Sequence, residues 1–217
     1  MFQPVKQRHN KALIIGGGES LKGFDFSETE NFPGAIITVN KVIEHIPRAD
    51  YWITVDLAKP QEHLNHLKEN TYYYAGYPTQ VTDWNIKEGI HYLDKEVPGE
   101  GGDYSLQEDK ARITTGDSMY AALGLAYHME AKEIIILGMD CYGYGHWYDS
   151  TEPYNGYQDP RFEQNHVSRL PGIYQQSTKQ LEERGARVIN GSPRSKIDCF
   201  PRTDPKTALN YFEKNNG

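Results

Sequence analysis

The stretch Ala12-Leu13-Ile14-Ile15-Gly16-Gly17-Gly18-Glu19-Ser20-Leu21 constrains the fold more than any other part of the chain. An apolar run four residues long stops at three glycines and a serine. A continuous apolar run this short reads as a strand buried on both faces. Glycine has no side chain, so backbone N–H groups in the following turn can approach an anion closely. The pattern therefore points to a nucleotide phosphate, although it is neither G-x-G-x-x-G nor the loop that ends in Gly-Lys-Ser/Thr. A tight strand-to-helix turn accounts for the same residues.

Similar runs recur at 35–39, 51–55, 71–74, 133–138 and 187–190. Helical patterns stand between them at 41–46, 59–69, 116–130, 173–184 and 205–214. In 116–130, Met119, Ala122, Leu123 and Ala126 form one apolar stripe. This alternation predicts an α/β chain: a single Rossmann-like, mostly parallel sheet with helices on both faces. The 217 residues suit one such domain, 1–217. Two stretches fall outside the alternation. Residues 95–112, rich in Gly and charge, read as a loop or mobile flap. Residues 141–166 have no period and read as a long aromatic lid loop, with the lid and acceptor region spanning about 141–172.

The formal charge of −7 argues against a surface that tracks duplex nucleic acid. No apolar run is long enough to span a bilayer, and the first ten residues lack the apolar core of a signal peptide. Cys141 and Cys199 are far apart and read as reduced thiols. A cytoplasmic location is the expectation. With no H-x-x-x-H, HExxH or Cys/His cluster, structural zinc is not expected.

In open α/β sheets, ligands sit outside the carboxyl ends of the strands. The first run ends in Gly16, Gly17, Gly18, Glu19 and Ser20, the second in Asn40, the third in Asp56, and 133–138 in Asp140. Thr114, Thr115 and Gly116 lead into the helix 116–130, where a free N-terminus can hold an anion and either threonine can serve as N-cap. Asn40 and Asp56 can equally cap the helices that follow them. The segment after Asp140 holds Tyr142, Tyr144, His146, Trp147, Tyr148, Tyr154 and Tyr157, rings that can stack on sugars and bases or anchor the loop. His166 is the first general-base candidate and His146 the second, since imidazole titrates near neutrality. Histidines 45, 63, 66, 91 and 128 read as structural. Asp56 and Asp140 could share Mg²⁺ if a triphosphate binds.

These blocks resemble the family 42 bacterial sialyltransferases. They are also similar to the wider superfamily that includes archaeal 6-hydroxymethyl-7,8-dihydropterin pyrophosphokinase and flagellin motility accessory proteins. Leu13–Lys22 with Phe24–Ser27 resembles the family's nucleotide-phosphate loop, and Val39-Asn40 its asparagine after the second strand. Arg112–Gly116 through Gly138–Asp140 resembles its helix and following strand. Tyr142 and Tyr148 resemble two tyrosines that contact the donor phosphate. The resemblance implies a nucleotide held by Gly16–Ser20, Asn40, Asp56 and Thr114–Gly116. Tyr142 and Tyr148 would stabilise the leaving phosphate, and a histidine in the following loop would deprotonate the acceptor hydroxyl. It also implies a homo-oligomer. Asp56 stands where the sialyltransferases have Asn, and Leu170-Pro171-Gly172 stands near the expected histidine.

The leading expectation is an inverting glycosyltransferase that moves a sugar from a nucleotide-sugar, CMP-sugar favoured, to a small-molecule or glycan acceptor without a metal cofactor. The alternatives are a Mg²⁺-dependent pyrophosphokinase or phosphotransferase acting on a small heterocycle, and a non-catalytic nucleotide-binding protein.

Overall fold

The computed structural model describes residues 2–56, 70–77, 88–141, 146–148 and 167–214. Eight strands form one sheet: β1 Lys11–Ile15, β2 Ala35–Val39, β3 Tyr51–Thr54, β4 Tyr72–Tyr77, β5 Ile90–Glu96, β6 Arg112–Thr114, β7 Glu133–Leu137 and β8 Arg187–Asn190. Every pairing is parallel, in the order β6-β5-β4-β3-β2-β1-β7-β8. Strands β2, β3 and β7 are buried along their whole length, and β1 from Ala12 onward. Both faces of the central sheet are therefore covered, as the unbroken apolar runs require. This is the expected Rossmann-like α/β architecture.

Helix α1 (Ser118–His128) packs along β1, β2, β3 and β6, burying every residue from Tyr120 to His128. Helix α2 (Leu170–Glu183) leads into β8. The short helices α3 (Pro205–Leu209) and α4 (Tyr211–Lys214) follow, with α3 against β7 and β8.

Several local expectations change. Strands β5 and β6 carry too much charge to show as apolar runs. Lys95 and Glu96 end β5, and Arg112–Thr114 forms the edge strand, so 95–112 is not all loop. The stretch between them is pinned rather than a free flap. The Tyr104 and Leu106 N–H groups donate to Gln176 Oε1 (2.8 Å) and Gln180 Oε1 (2.7 Å) of α2, and Gln180 Nε2 donates back to Leu106 O (2.9 Å). The N-cap of α1 is Asp117, not Thr114 or Thr115; its carboxylate accepts from Tyr120 N–H at 2.6 Å. Residues 40–44 make a 3-10 turn where a helix was expected at 41–46, and 205–214 divides at Asn210. The lid range 141–172 runs too far, because Val167–Arg169 is a 3-10 turn and α2 begins at Leu170. The helix at 59–69 lies outside the described residues, as does most of the aromatic segment.

Candidate functional site

From β1 the sheet grows outward to β6, and the chain then returns to place β7 on the other side of β1. Strand order reverses there, and ligands in such sheets bind outside the carboxyl ends at the point of reversal. The glycine run leaves β1 at this point, and Gly138-Met139-Asp140 leaves β7 beside it.

The two loops are laced together. Gly16 N–H donates to Leu137 O (2.8 Å) and Gly18 N–H to Gly138 O (3.0 Å). Gly138 has φ +70°, a conformation in which glycine is favoured. A Cβ on Gly18 would lie 2.6 Å from Gly138 O and 2.7 Å from Asp140 Cγ, so no other residue fits that approach. Ser20 donates its N–H to Asp140 Oδ2 (2.7 Å) and its hydroxyl to Asp140 Oδ1 (2.5 Å). Ser192, two residues past β8, lies with Oγ 3.1 Å from Ser20 Oγ and accepts Met139 N–H at 3.0 Å. Buried Asp140 thus organises the loop by accepting both donors of Ser20.

A strap of rings crosses the glycines. Trp147 N–H donates to Gly17 O (3.1 Å) and Trp147 Nε1 to Gly16 O (3.2 Å). Gly18 and His146 form an antiparallel bridge. Trp147 stacks on Phe26 at 4.5 Å. Tyr148 stacks on His146 at 5.0 Å and on His45 at 4.6 Å, with Lys41 Nζ 5.8 Å from its ring centre. The Tyr148 hydroxyl reaches the glycine loop: a Cβ built on Gly17 would lie 3.2 Å from it.

At the ends of β2 and β3, Asn40 adopts φ +47° and is fixed on three sides. Its carbonyl accepts Trp52 Nε1 (2.7 Å), its Oδ1 accepts Thr54 Oγ1 (2.7 Å), and its Nδ2 donates to Ser118 Oγ (3.2 Å) at the start of α1. Asp56 N–H donates to Thr54 Oγ1 at 3.3 Å. Thr115 N–H donates to Glu96 O (3.0 Å), while its hydroxyl donates to Asp117 O (2.6 Å). The Thr114 hydroxyl donates to Ser105 O (2.9 Å). Both threonine hydroxyls are thus engaged with the protein backbone. Gly116 makes room for α2, since a Cβ there would lie 2.8 Å from Ile173 Cδ1. Tyr174, fully buried, donates to Asp117 Oδ1 at 3.1 Å; burial, then the Asp117 charge, pushes its pKa well above the ordinary value. Burial likewise raises the Cys141 thiol above its ordinary value.

The structure therefore sets Gly16–Ser20, Asn40, Asp56, Asp140, His146 and Tyr148 at the carboxyl end of the central sheet, with Thr114–Gly116 at the end of the edge strand β6. His166 and Tyr142 lie outside the described residues. His45, read as structural, belongs to the ring cluster; it has no local signal because its partner is a ring far along the chain. Thr54, Ser118 and Ser192 were also missed. Ser192 could have been found by the rule that located the others, as a small polar residue just past a strand. Among the described residues, no three His, Cys, Asp or Glu side chains gather as a metal site. None of the helices described is long and apolar enough to cross a membrane.

No protein-family model matches the chain, and no curated protein sequence does. Solved structures share its fold, among them two of sialyltransferases. One is the sialyltransferase CstII from Campylobacter jejuni in complex with the substrate analogue cytidine-5'-monophosphate. Its TM-score is 0.54 at 17% identity, covering 94% of this chain and 88% of that one. The other is a tyrosine-to-phenylalanine variant of sialyltransferase Cst-II in complex with CMP. Its TM-score is 0.51 at 16% identity, covering 92% and 87%.

Proposed function

We propose that this chain is a transferase that moves a sugar from a CMP-activated donor to an acceptor hydroxyl, with inversion and without a metal ion. One observation carries the reading. The carboxyl ends of β1 and β2 carry a glycine loop, a tyrosine hydroxyl at that loop and a fixed asparagine amide, in a fold whose solved neighbours were captured with CMP. The acceptor oxygen attacks the anomeric carbon as the bond from that carbon to the phosphate oxygen breaks. The acceptor proton passes to an imidazole, and the electron pair leaves with CMP. His146 and His166 are the base candidates. Tyr148 donates to the leaving phosphate, where a fixed donor aimed at developing charge lowers the barrier most. Gly17 and Glu19 offer the loop N–H groups to the phosphate, and Asn40 and Asp56 hold the nucleoside.

The bonding of Asp140 supports the metal-independent reading. Both of its oxygens accept from Ser20, so it stabilises the loop instead of bridging phosphates. The test is turnover of a CMP-sugar in EDTA, with CMP release and product anomer read by NMR. Release with inversion supports the proposal. Turnover only with ATP and Mg²⁺ favours the pyrophosphokinase alternative. Nucleotide binding without turnover favours a binding protein.

A further inference from the structure

Lys95 stands near the carboxyl end of β5, yet its ammonium reaches across β4 to β3, where it donates to Val55 O at 2.8 Å. Gly76 of β4 makes the crossing possible. A Cβ there would lie 3.3 Å from Lys95 Cδ and 3.4 Å from Val55 Cγ1, so the lysine stem runs over bare backbone. Its neighbours on β5 face other partners: Asp94 and Glu96 both pair with Arg112, at 3.3 and 3.0 Å. Burial holds the Lys95 pKa below its ordinary value, and the charge of Asp56 acts in the opposite direction. Asp56 joins the nucleoside end of the crevice through its N–H to Thr54 and the Thr54 hydroxyl to Asn40. Lys95 Nζ, at the Val55 carbonyl, thus stands one residue before Asp56, and a polar run continues from Asp56 through Thr54 to Asn40.

A carboxylate at this place repels an anionic nucleotide. A neighbouring cation removes that repulsion while leaving the carboxylate oxygens as strong hydrogen-bond acceptors. We propose that Lys95 is a specificity-determining residue whose ammonium offsets the Asp56 charge, so that Asp56 accepts hydroxyl groups of an anionic nucleotide with no divalent cation. This inference rests on the reading of the crevice as a CMP site. Nothing in the sequence pattern marks Lys95; it stands in a stretch that reads as loop, and only the crossing over Gly76 connects it to β3.

The test is calorimetric titration of CMP in EDTA into the intact protein and the variants Lys95→Met, Asp56→Asn and Lys95→Met/Asp56→Asn, each checked for a cooperative melt. Lys95→Met should weaken CMP binding about tenfold, the scale of one uncompensated charge near the ligand at intermediate dielectric. The double variant should return to within about threefold of the parent, because it removes the repulsion along with the cation. Asp56→Asn alone should weaken binding less than Lys95→Met, because the amide keeps one acceptor for the hydroxyl groups and removes the repulsion. A lysine that only supports the fold gives a double variant no better than Lys95→Met, which overturns the proposal. So does Lys95→Met binding like the parent. If Lys95→Met does not fold, Lys95→Arg and Lys95→Gln take its place: the arginine, which keeps the charge, should bind within about threefold of the parent and the glutamine should bind about tenfold more weakly, and equal binding by the two overturns the proposal. A parent protein that does not bind CMP removes the crevice reading itself, a result distinct from either of these.

Discussion

Ser20 gives both its donors to one side chain: the Asp140 carboxylate accepts its N–H at 2.7 Å and its hydroxyl at 2.5 Å. The pair closes the glycine loop of β1 onto the loop of β7 at the point where strand order reverses. Asp140→Ala takes the acceptor from a half-buried N–H and leaves the Ser20 hydroxyl only Ser192 Oγ, at a cost of about 1–3 kcal/mol. At about 2–4 °C per kcal/mol for a chain of this size, thermal denaturation should show a loss of several degrees. Nucleotide affinity should fall with it. Asp140→Asn keeps one acceptor and should lose less. An Asp140→Ala protein that melts and binds like the parent contradicts this role.

The glycines of the loop and of α2 should answer alanine with opposite signs. In Gly18→Ala the new methyl meets the Gly138 carbonyl oxygen at 2.6 Å, a backbone atom that cannot swing aside. Loss of stability and of nucleotide binding is expected. Gly172 sits exposed in the first turn of α2 with no atom within 4 Å of a built Cβ. Gly172→Ala should stabilise by up to about 1 kcal/mol, the helix preference of alanine over glycine. Denaturant titration of both variants reads the two signs.

Tyr148 offers its hydroxyl to the glycine loop while His45 and His146 hold its ring. Tyr148→Phe keeps the stacking and removes only the donor. It should lower kcat by about tenfold to a hundredfold, with CMP affinity changed far less. His45→Ala should weaken both, since it releases the ring. Equal losses of rate and affinity in Tyr148→Phe would contradict a role on the leaving group.

His128 predicts an acid sensitivity away from the site. Its Nε2 donates to Arg112 O at 2.7 Å from a buried position on α1. Burial holds its pKa below the ordinary 6.5. The unfolded chain therefore binds a proton at a pH where the folded chain does not, and stability rises with pH through that interval. The contribution is complete above about pH 6.5 and fades as pH falls toward the depressed folded value. His91, also lowered by burial and by Lys6, adds in the same direction. His128→Gln should flatten the fall in Tm between pH 7 and pH 5. An unchanged slope contradicts the assignment.

Apolar strands made the centre of this fold legible. Strands β1, β2, β3 and β7 are continuous apolar or β-branched runs because both their faces are covered. The outer strands were harder to see. In β5, His91, Asp94, Lys95 and Glu96 interrupt the apolar residues, and β6 is three residues opened by an arginine that pairs with Asp94 and Glu96. The same divide runs through the site. Gly16–Ser20, Asn40, Asp56 and Asp140 were readable because they follow strands directly, and topology gathers strand ends. His45, Ser118 and Ser192 meet partners distant in sequence, and their contacts appear only once the sheet is assembled. Asp140 was read as a nucleotide contact, whereas its bonds run to Ser20. A carboxylate that faces a ligand and one that organises a loop look alike in one dimension.

The central claim is a crevice built for CMP, and calorimetric titration of the purified protein with CMP in EDTA tests it most directly. UDP, GDP, ADP and ATP serve as comparisons, each with and without Mg²⁺. Saturable binding of CMP, unchanged by Mg²⁺ and tighter than that of the purine nucleotides, is the predicted result. Binding confined to ATP with Mg²⁺, or no binding of CMP at all, would contradict it.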